Sequence, residues 1–390
     1  MVDDIRRLSS ELRGAMIGFA SDLVRIKSFT GREEAIIGRI KAEMESLGYD
    51  DARIDGMGNL VGRIGSGKRS ILFDSHVDTV AVTDAGRWTR EPFGGELVEG
   101  MLYGRGSVDM KSAVAASVYA GAAAKRLWPG LDRTVLISTS VMEEDYDGES
   151  LVYEFGPGGL RPDAVVICEP SDCTISLGQK GRALLRIDMP GVSAHGSAPE
   201  KGDNPVYRMN TVIRRVEELG LRLMGEGGAS GSIALTGISC ETASLNAIPA
   251  TCTAFVDRRL VRGQDEASIA SEMTGLVAGT PAIWEVQKVV GKSWTGREVV
   301  LDSFLPAWEL EASHPLAQAA VSAWEGLFPG KARLSTWDFS TNGVASARLG
   351  IPTIGFGPGD SKQAHRVDEH CPVEQIVRAF EFYLALAARF

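Results

Sequence analysis

The fold class is decided by the stretch SILFDSHVD, residues 70–78, in which an apolar strand pattern runs directly into a His-x-Asp pair. In α/β proteins, ligands bind just outside the carboxyl ends of the sheet strands. We therefore expect a functional site where this strand ends, beside His76 and Asp78.

The same arrangement recurs along the chain. Predicted strands over 134–142, 164–168 and 351–356 end at or shortly before further acidic or histidine residues, and a glycine-bearing turn precedes an Ala-rich helix predicted over 112–127. The candidate side chains at these points are His76, Asp109, Glu143, Glu144, Glu169 and His365. Imidazole and carboxylate groups are thus predicted to lie at one edge of one sheet. This set of side chains is typical of a metal-assisted hydrolase.

Bulk properties exclude several other classes. A chain of 390 residues with 44% hydrophobic content is too long for one ordinary core and fits two domains. The net charge of −10, without blocks of like charge, argues against nucleic-acid binding. The sequence contains neither a run of about 18 apolar residues nor the apolar core of a signal peptide, so we expect no membrane association. Five cysteines without metal spacing indicate a reduced, cytoplasmic protein.

Strands and helices alternate up to about residue 179 and again after residue 313, whereas a β-α-β-β-α-β order occupies 182–290. We therefore expect an α/β fold with a mixed, largely parallel sheet flanked by helices, formed by residues 1–178 and 294–390. An α+β ferredoxin-like domain is predicted as an insertion at 179–293. Near the N-terminus, Thr30 and Glu33 have capping-box spacing and predict the start of a helix.

The residue types favour a metal site over other chemistries. Neutral imidazole and carboxylate oxygens suit zinc, with manganese or cobalt as alternatives. Adjacent side chains on an extended backbone point apart, so one of Glu143 and Glu144 can bind metal while the other handles protons. Asp78 can orient the imidazole of His76.

Some alternatives stay open from the residues alone. His195 lies in a small-residue turn, where it is either structural or functional. Arg258 and Arg259 alternate on a strand, so only one of them can face a cleft, and the other is expected to be a solvated surface charge. There are two competing hypotheses. One is a non-catalytic binding protein on the same fold, and the other is a metal-free amidase with Cys168 as nucleophile.

In combination, these motifs resemble the co-catalytic zinc aminoacylases and peptidases over nearly all 390 residues. That family includes acetylornithine deacetylase, succinyl-diaminopimelate desuccinylase, aminoacylase, carnosinase-like dipeptidases and glutamate carboxypeptidase. The resemblance implies two divalent ions, most often zinc. His76 and Glu169 would bind one ion, Glu144 and His365 the other, and Asp109 would bridge both.

The resemblance also implies roles for the remaining candidates. Glu143 matches the general base, and Asp78 matches the residue that orients the zinc-binding histidine. His195 matches a histidine of the inserted lid domain that reaches into the partner subunit's site of a homodimer. The matches to substrate-contacting residues are Asn246, Arg259 and Gly357.

The implied reaction is hydrolysis of an N-acyl amino acid or short peptide through a metal-bridging hydroxide. Two features depart from the family pattern. Ser112 stands where a glycine is usual, which is of little consequence. The segment 337–343 replaces the Gly-rich substrate loop of the desuccinylases, which argues against succinyl specificity. The segment 339–360 resembles a poorly characterised hydrolase branch of the family.

Overall fold

The computed structural model describes residues 1–130, 132–227 and 230–390. The α-helices are α1 (Val2–Arg25), α2 (Glu34–Ser46), α3 (Ser112–Leu127), α4 (Glu149–Phe155), α5 (Pro205–Gly225), α6 (Glu266–Val277), α7 (Pro315–Leu327), α8 (Gly343–Arg348) and α9 (Val373–Arg389). The strands are β1 (Asp51–Ile54), β2 (Leu60–Ile64), β3 (Arg69–His76), β4 (Glu96–Val98), β5 (Met101–Tyr103), β6 (Arg133–Ser140), β7 (Ala164–Ile167), β8 (Ile175–Gln179), β9 (Gly181–Pro190), β10 (Ser232–Glu241), β11 (Thr251–Leu260), β12 (Ile283–Val286), β13 (Lys288–Lys292), β14 (Glu298–Asp302), β15 (Phe304–Leu305), β16 (Trp308–Glu309), β17 (Leu334–Trp337), β18 (Thr353–Gly355) and β19 (His370–Pro372).

The larger sheet has the strand order β1-β2-β6-β3-β7-β18-β8-β16, with β17 also paired to β8. Its centre, β6-β3-β7-β18, is parallel, and antiparallel pairs flank it. The predicted mixed, largely parallel α/β fold is therefore confirmed. Parallel neighbours end at the same edge, so the loops after β3, β6, β7 and β18 come together there.

Alternate residues of the central strands enter two different cores. Phe73 and Ile137 pack beneath α1, α3, α7 and α9, whereas Leu72 and Leu136 pack against α4 and α8. Helix α3 lies in the larger core and is buried from Ser112 through Ala124, because small alanine side chains let neighbouring elements approach on all sides. This helix has the bounds that the sequence predicts.

A second sheet has the order β10-β11-β9-β12, with the short β15 also paired to β9. We call it the inserted sheet. Helices α5 and α6 cover one of its faces, and a separate apolar core lies between them and the strands. The chain order β9-α5-β10-β11-α6-β12 with this strand order is the split βαβ arrangement predicted for this region.

The end of the insertion differs from the predicted strand over 283–290. The strand ends before Gln287, whose N–H still donates to the Leu184 carbonyl of β9 but whose carbonyl accepts the N–H of Ser303. Strand β13 then pairs with β14 in a hairpin whose Val299 and Leu301 pack into the larger core. The predicted boundary at residues 293 and 294 falls in the turn of that hairpin, and the division into two domains stays a prediction.

The chain passes between the two sheets at two adjacent points. It leaves the larger sheet between β8 and β9 and returns between β15 and β16. The crossings touch, because a Cβ on Gly181 would lie 2.4 Å from the carbonyl oxygen of Leu305. They place the first residues of β9 beside the edge where the candidate site is expected. Among the described residues, no helix is both long and apolar enough to span a membrane.

Candidate metal and catalytic site

The structure brings the predicted metal ligands together. His76 ends β3, Glu169 follows β7, and Glu144 follows β6, while Asp109 and His365 come from connecting loops. The His76 Nε2 lies 2.9 Å from Asp109 Oδ1 and 3.5 Å from Glu169 Oε1. The His365 Nε2 lies 3.2 Å from Asp109 Oδ2 and 3.0 Å from Glu144 Oε2. Asp109 therefore lies between two histidines and presents one oxygen to each.

Two overlapping groups have ligand atoms within 4.8 Å of one another: His76 with Glu143 and Glu169, and His76 with Asp109 and Glu144. Glu143, the predicted base, thus lies close enough to join the first group, with Oε2 3.9 Å from His76 Nε2. The carboxylate lies where it can act as a metal ligand or as a base. Its assignment as base stays a prediction.

The charges of this cluster are unbalanced. Burial and neighbouring carboxylates raise the pKa of Glu143 and Glu169 well above their ordinary range, and burial with the charge of Asp109 raises the pKa of Glu144. Four largely buried carboxylates meet the buried imidazole of His76 and the half-exposed imidazole of His365. Burying so many carboxylates is costly unless a cation compensates them. Carboxylate and imidazole donors fit divalent ions such as zinc.

The histidines respond to the same charges. Burial opposes protonation of His76, but Glu169 and Glu143 raise its pKa well above the usual value. Hydrogen bonds that its ring donates to the carboxylates of Asp109 and Glu144 raise the pKa of His365 to about 10. Burial would raise the pKa of Asp109, yet the two histidines hold it below its ordinary range. A metal ion bound here must displace protons from the histidines.

Asp78 has a broader role than the sequence predicts. Its carboxylate accepts the backbone N–H of Glu143 at 3.0 Å and of Glu144 at 3.1 Å. The Nδ1 of His76 lies 3.0 Å from the Asp78 carbonyl oxygen and 3.5 Å from its carboxylate. Nδ1 therefore carries the proton, which leaves Nε2 free to face the site. Asp78 fixes both the histidine and the pair of glutamates.

The predicted capping box at Thr30 and Glu33 is wrong, although helix α2 does begin at Glu34. The Thr30 hydroxyl donates to Asp78 Oδ2 at 2.9 Å. Glu33 accepts from the N–H of Gly31 at 2.8 Å and of Met142 at 3.1 Å, and burial and Asp78 raise its pKa to about 8. Both side chains support the site instead of the helix, because the loop that carries the glutamates passes over them.

Sequence reasoning missed Glu369, which is fully buried behind Asp109. Its Oε1 accepts the N–H of Val108 at 2.9 Å and of Asp109 at 3.2 Å, and its Oε2 accepts from Arg105 Nη1 at 2.5 Å. Burial raises its pKa to about 7. No local pattern marks this residue, since Arg105 is 264 positions away.

A cavity of about 290 Å³ opens over the cluster. Besides five acidic residues and His365, its wall contains residues that sequence reasoning did not select. These are Pro170, Arg182, Phe339, Ser340, Ser361 and Ala364. Of the acidic residues, Asp147 is also new, and it lies on the same loop as Glu143.

Arg259 lines this cavity, and Arg258 points to the opposite face of β11. The expectation that the second arginine is a solvated surface charge is wrong. Arg258 is 1% exposed and its Nε donates to Glu272 at 2.9 Å, because the helix-covered face of the inserted sheet encloses it.

His195, Asn246 and Gly357 do not line the described part of this cavity. His195 and Asn246 are exposed in neighbouring turns at the far end of the inserted sheet, where His195 bridges to Ala247. Gly357 is buried, and a Cβ there would lie 2.3 Å from the Glu169 carbonyl oxygen. Its N–H and carbonyl both bond Ser171, so its contacts support the Glu169 loop.

The chain is similar to known proteins over most of its length. The model of peptidase family M20/M25/M40 matches residues 72–389. The uncharacterized protein YgeY of Escherichia coli (strain K12) is 36% identical, covering 97% of this chain and 95% of that protein. A succinyl-diaminopimelate desuccinylase of Cereibacter sphaeroides (strain ATCC 17029 / ATH 2.4.9) is 31% identical, with coverage of 95% and 97%.

Solved structures share the fold. The M20 family metallo-carboxypeptidase Sso-CP2 from Sulfolobus solfataricus superposes with a TM-score of 0.76 at 16% identity, covering 96% of this chain and 98% of that one. Human carnosine dipeptidase 1 gives a TM-score of 0.72 at 14% identity, covering 100% and 98%. The resemblance indicated by the motifs is confirmed: the chain is a hydrolytic enzyme and belongs to peptidase family M20/M25/M40.

Proposed function

We propose that this protein is a metal-dependent amide hydrolase that cleaves an N-acyl amino acid or a short peptide. The observation that carries the proposal is the buried convergence of histidine and carboxylate ligand atoms within 4.8 Å. His76 and Glu169 would hold one divalent ion, Glu144 and His365 a second, and Asp109 both. Zinc suits this donor set best, with cobalt or manganese as alternatives.

Two ions bound here would supply Lewis acidity, which would polarise the amide carbonyl and make water a better nucleophile near neutral pH. The carboxylate of Glu143 accepts the proton of the attacking water and then donates it to the nitrogen of the leaving amine. Its 8% exposure keeps that carboxylate in a poorly solvated place, where a proton is held more readily. Asp78 fixes the backbone of Glu143 and so sets the position of the proton carrier.

Arg259 is proposed to bind the α-carboxylate of the substrate. It lines the cavity, and Asp257 holds its guanidinium by hydrogen bonds of 2.9 and 3.2 Å. A guanidinium matches a carboxylate in a bidentate manner. The desuccinylase and dipeptidase relatives suggest acyl amino acids or dipeptides, and the 337–343 segment disfavours a succinyl group.

The test is a screen of N-acetyl amino acids, N-succinyl amino acids and dipeptides with added zinc, cobalt or manganese. We expect a chelator to abolish turnover, and amidation of the α-carboxylate to lower kcat/KM. Arg259→Ala should remove roughly 1.5–3 kcal/mol of that preference, the scale of a hydrogen bond to a charged group. Arg258 supplies no matched control because it is buried, so Arg262, exposed just beyond β11, is used. Equal turnover of free and amidated substrates contradicts the role of Arg259.

We further propose a homodimer formed through the inserted sheet. Strand β10 is an edge strand, and apolar residues lie exposed on it and on the adjacent α5, among them Leu221, Met224 and Ile238. Exposed apolar surface beside an edge strand is typical of a protein interface. The distant position of His195 and Asn246 supports a contribution from one subunit to the site of its partner.

Mixed dimers test that contribution. His195→Ala and Glu143→Gln chains, each nearly inactive alone, should regain activity when mixed, because half-exchanged dimers contain one intact site. Activity is measured after subunit exchange has been verified with differently tagged chains. A mixture that exchanges subunits but stays inactive shows that the site is built within one chain.

We also propose a reducing, cytoplasmic location. The five cysteines are free thiols, and four of them are buried. Free buried thiols are typical of proteins that work in reducing compartments.

A further inference from the structure

Arg182 lies beside Arg259 on the wall of the catalytic cavity. It is the second residue of β9, and the β9–β11 register places it directly opposite Arg259. Residues opposite one another in an antiparallel pair share a face of the sheet, with Cβ atoms about 5 Å apart. The two arginine side chains therefore leave the sheet side by side, and both line the cavity over the candidate metal ligands, where both charges act on Asp147.

Each guanidinium is oriented by a carboxylate and keeps donors free. Arg182 Nη2 donates to Asp147 Oδ1 at 3.0 Å, and the second oxygen of Asp147 accepts from the Ser340 hydroxyl. The Nε of Arg182 is buried and, within residues 1–130, 132–227 and 230–390, has no hydrogen-bond partner. A guanidinium has five N–H donors, so Arg182 retains several for a ligand.

This arrangement leaves donors for a further anion. Like charges directly opposite in a sheet destabilise it, and a buried donor without an acceptor costs free energy. Asp147 and Asp257 match the two positive charges, but each guanidinium keeps donors that they do not engage. An anion between the two arginines would engage those donors.

We propose that Arg182 binds a second carboxylate of the substrate, next to the α-carboxylate at Arg259. Because the two guanidiniums are adjacent, both carboxylates must belong to one residue with a short carbon chain. The favoured substrates are then N-acyl aspartate or N-acyl glutamate, or peptides that end in such a residue. The carboxylate of an acidic acyl group lies on the other side of the scissile bond from the α-carboxylate. It is therefore too far from the α-carboxylate to bind the neighbouring guanidinium. The proposal rests on the proposed function.

The experiment compares N-acetyl-L-glutamate with its neutral counterpart N-acetyl-L-glutamine. The enzymes are the wild type, Arg182→Met, Arg182→Lys and Arg186→Met. Arg186 is the matched control, since it lies four residues along the same strand and face, pairs with Asp188 at 2.9 Å and is outside the cavity wall. Its replacement should leave the ratio of the two kcat/KM values unchanged.

The wild type should prefer the glutamate substrate by about tenfold or more, the effect of a hydrogen bond to a charged group. Arg182→Met should lower kcat/KM for glutamate about tenfold more than for glutamine, and Arg182→Lys should give an intermediate ratio because it keeps the charge but loses the planar fork. If Arg182→Met does not fold, the ratio of the two kcat/KM values for Arg182→Lys tests the proposal instead.

Equal kcat/KM values for the two substrates in the wild type overturn the proposal, and so does an Arg182 variant that lowers both equally, since a purely structural role acts on both. These results leave the proposed function intact. Absence of hydrolysis of every N-acyl amino acid and dipeptide overturns the proposed function and, with it, this proposal.

Discussion

Glu143→Gln is expected to lower kcat by about 10²–10⁴-fold, the usual contribution of a positioned proton carrier. Glutamine is nearly isosteric and keeps the backbone N–H that donates to Asp78 at 3.0 Å, so the loop should hold its shape. It cannot accept the proton of water. Steady-state kinetics on the best substrate of the screen, with metal content measured on the same sample, gives the result.

Glu144→Gln is the matched control, because it changes the neighbouring residue in the same chemical way. Its Oε2 lies 3.0 Å from His365 Nε2, so its loss should weaken metal binding. Added metal should then restore part of the activity of Glu144→Gln but none of that of Glu143→Gln. A fully active Glu143→Gln variant, or one that loses metal while Glu144→Gln does not, reverses the two assignments.

Glu369→Ala is expected to destabilise the protein by about 3–5 kcal/mol, the cost of leaving one charge of a buried pair uncompensated. Arg105 and Glu369 are both at most 5% exposed, and the N–H groups of Val108 and Asp109 also lose their acceptor. The free energy of unfolding is measured by urea titration with chelator present, so that lost metal binding does not contribute.

Lys288→Ala is the control for this prediction. Lys288 pairs with Asp302 at 3.0 Å, but both side chains are 66% exposed. Exposed pairs contribute about 1 kcal/mol or less. If the two variants lose similar amounts of free energy, the buried pair does not stabilise the loop that carries Asp109.

The central part of the site follows from local sequence patterns. His76, Glu144 and Glu169 come directly after buried strands, and parallel pairing of β3 with β6 and β7 brings those strand ends together. The strand order of the inserted sheet likewise follows from the β-α-β-β-α-β order that the sequence predicts. His365 and Asp109 could also be predicted, because their loops connect to the same edge of the sheet.

Residues whose role depends on a distant partner could not be predicted in this way. Arg105 with Glu369 and Asp147 with Arg182 are pairs formed only by the folded chain, and neither member has a distinctive local pattern. The capping-box prediction failed for the same reason, since Thr30 finds its partner in Asp78 rather than in its own helix. The roles of these residues are set by tertiary contacts.

The most direct test of the account is the metal content of the purified chain. After dialysis against zinc, elemental analysis should find two divalent ions per chain, and one if the second ion is labile. Binding should tighten as pH rises from 6 to 8. The hydrogen-bonded His365, whose pKa is raised to about 10, must lose its proton to bind metal. Absence of any stoichiometric metal in correctly folded, zinc-supplemented protein would contradict the account.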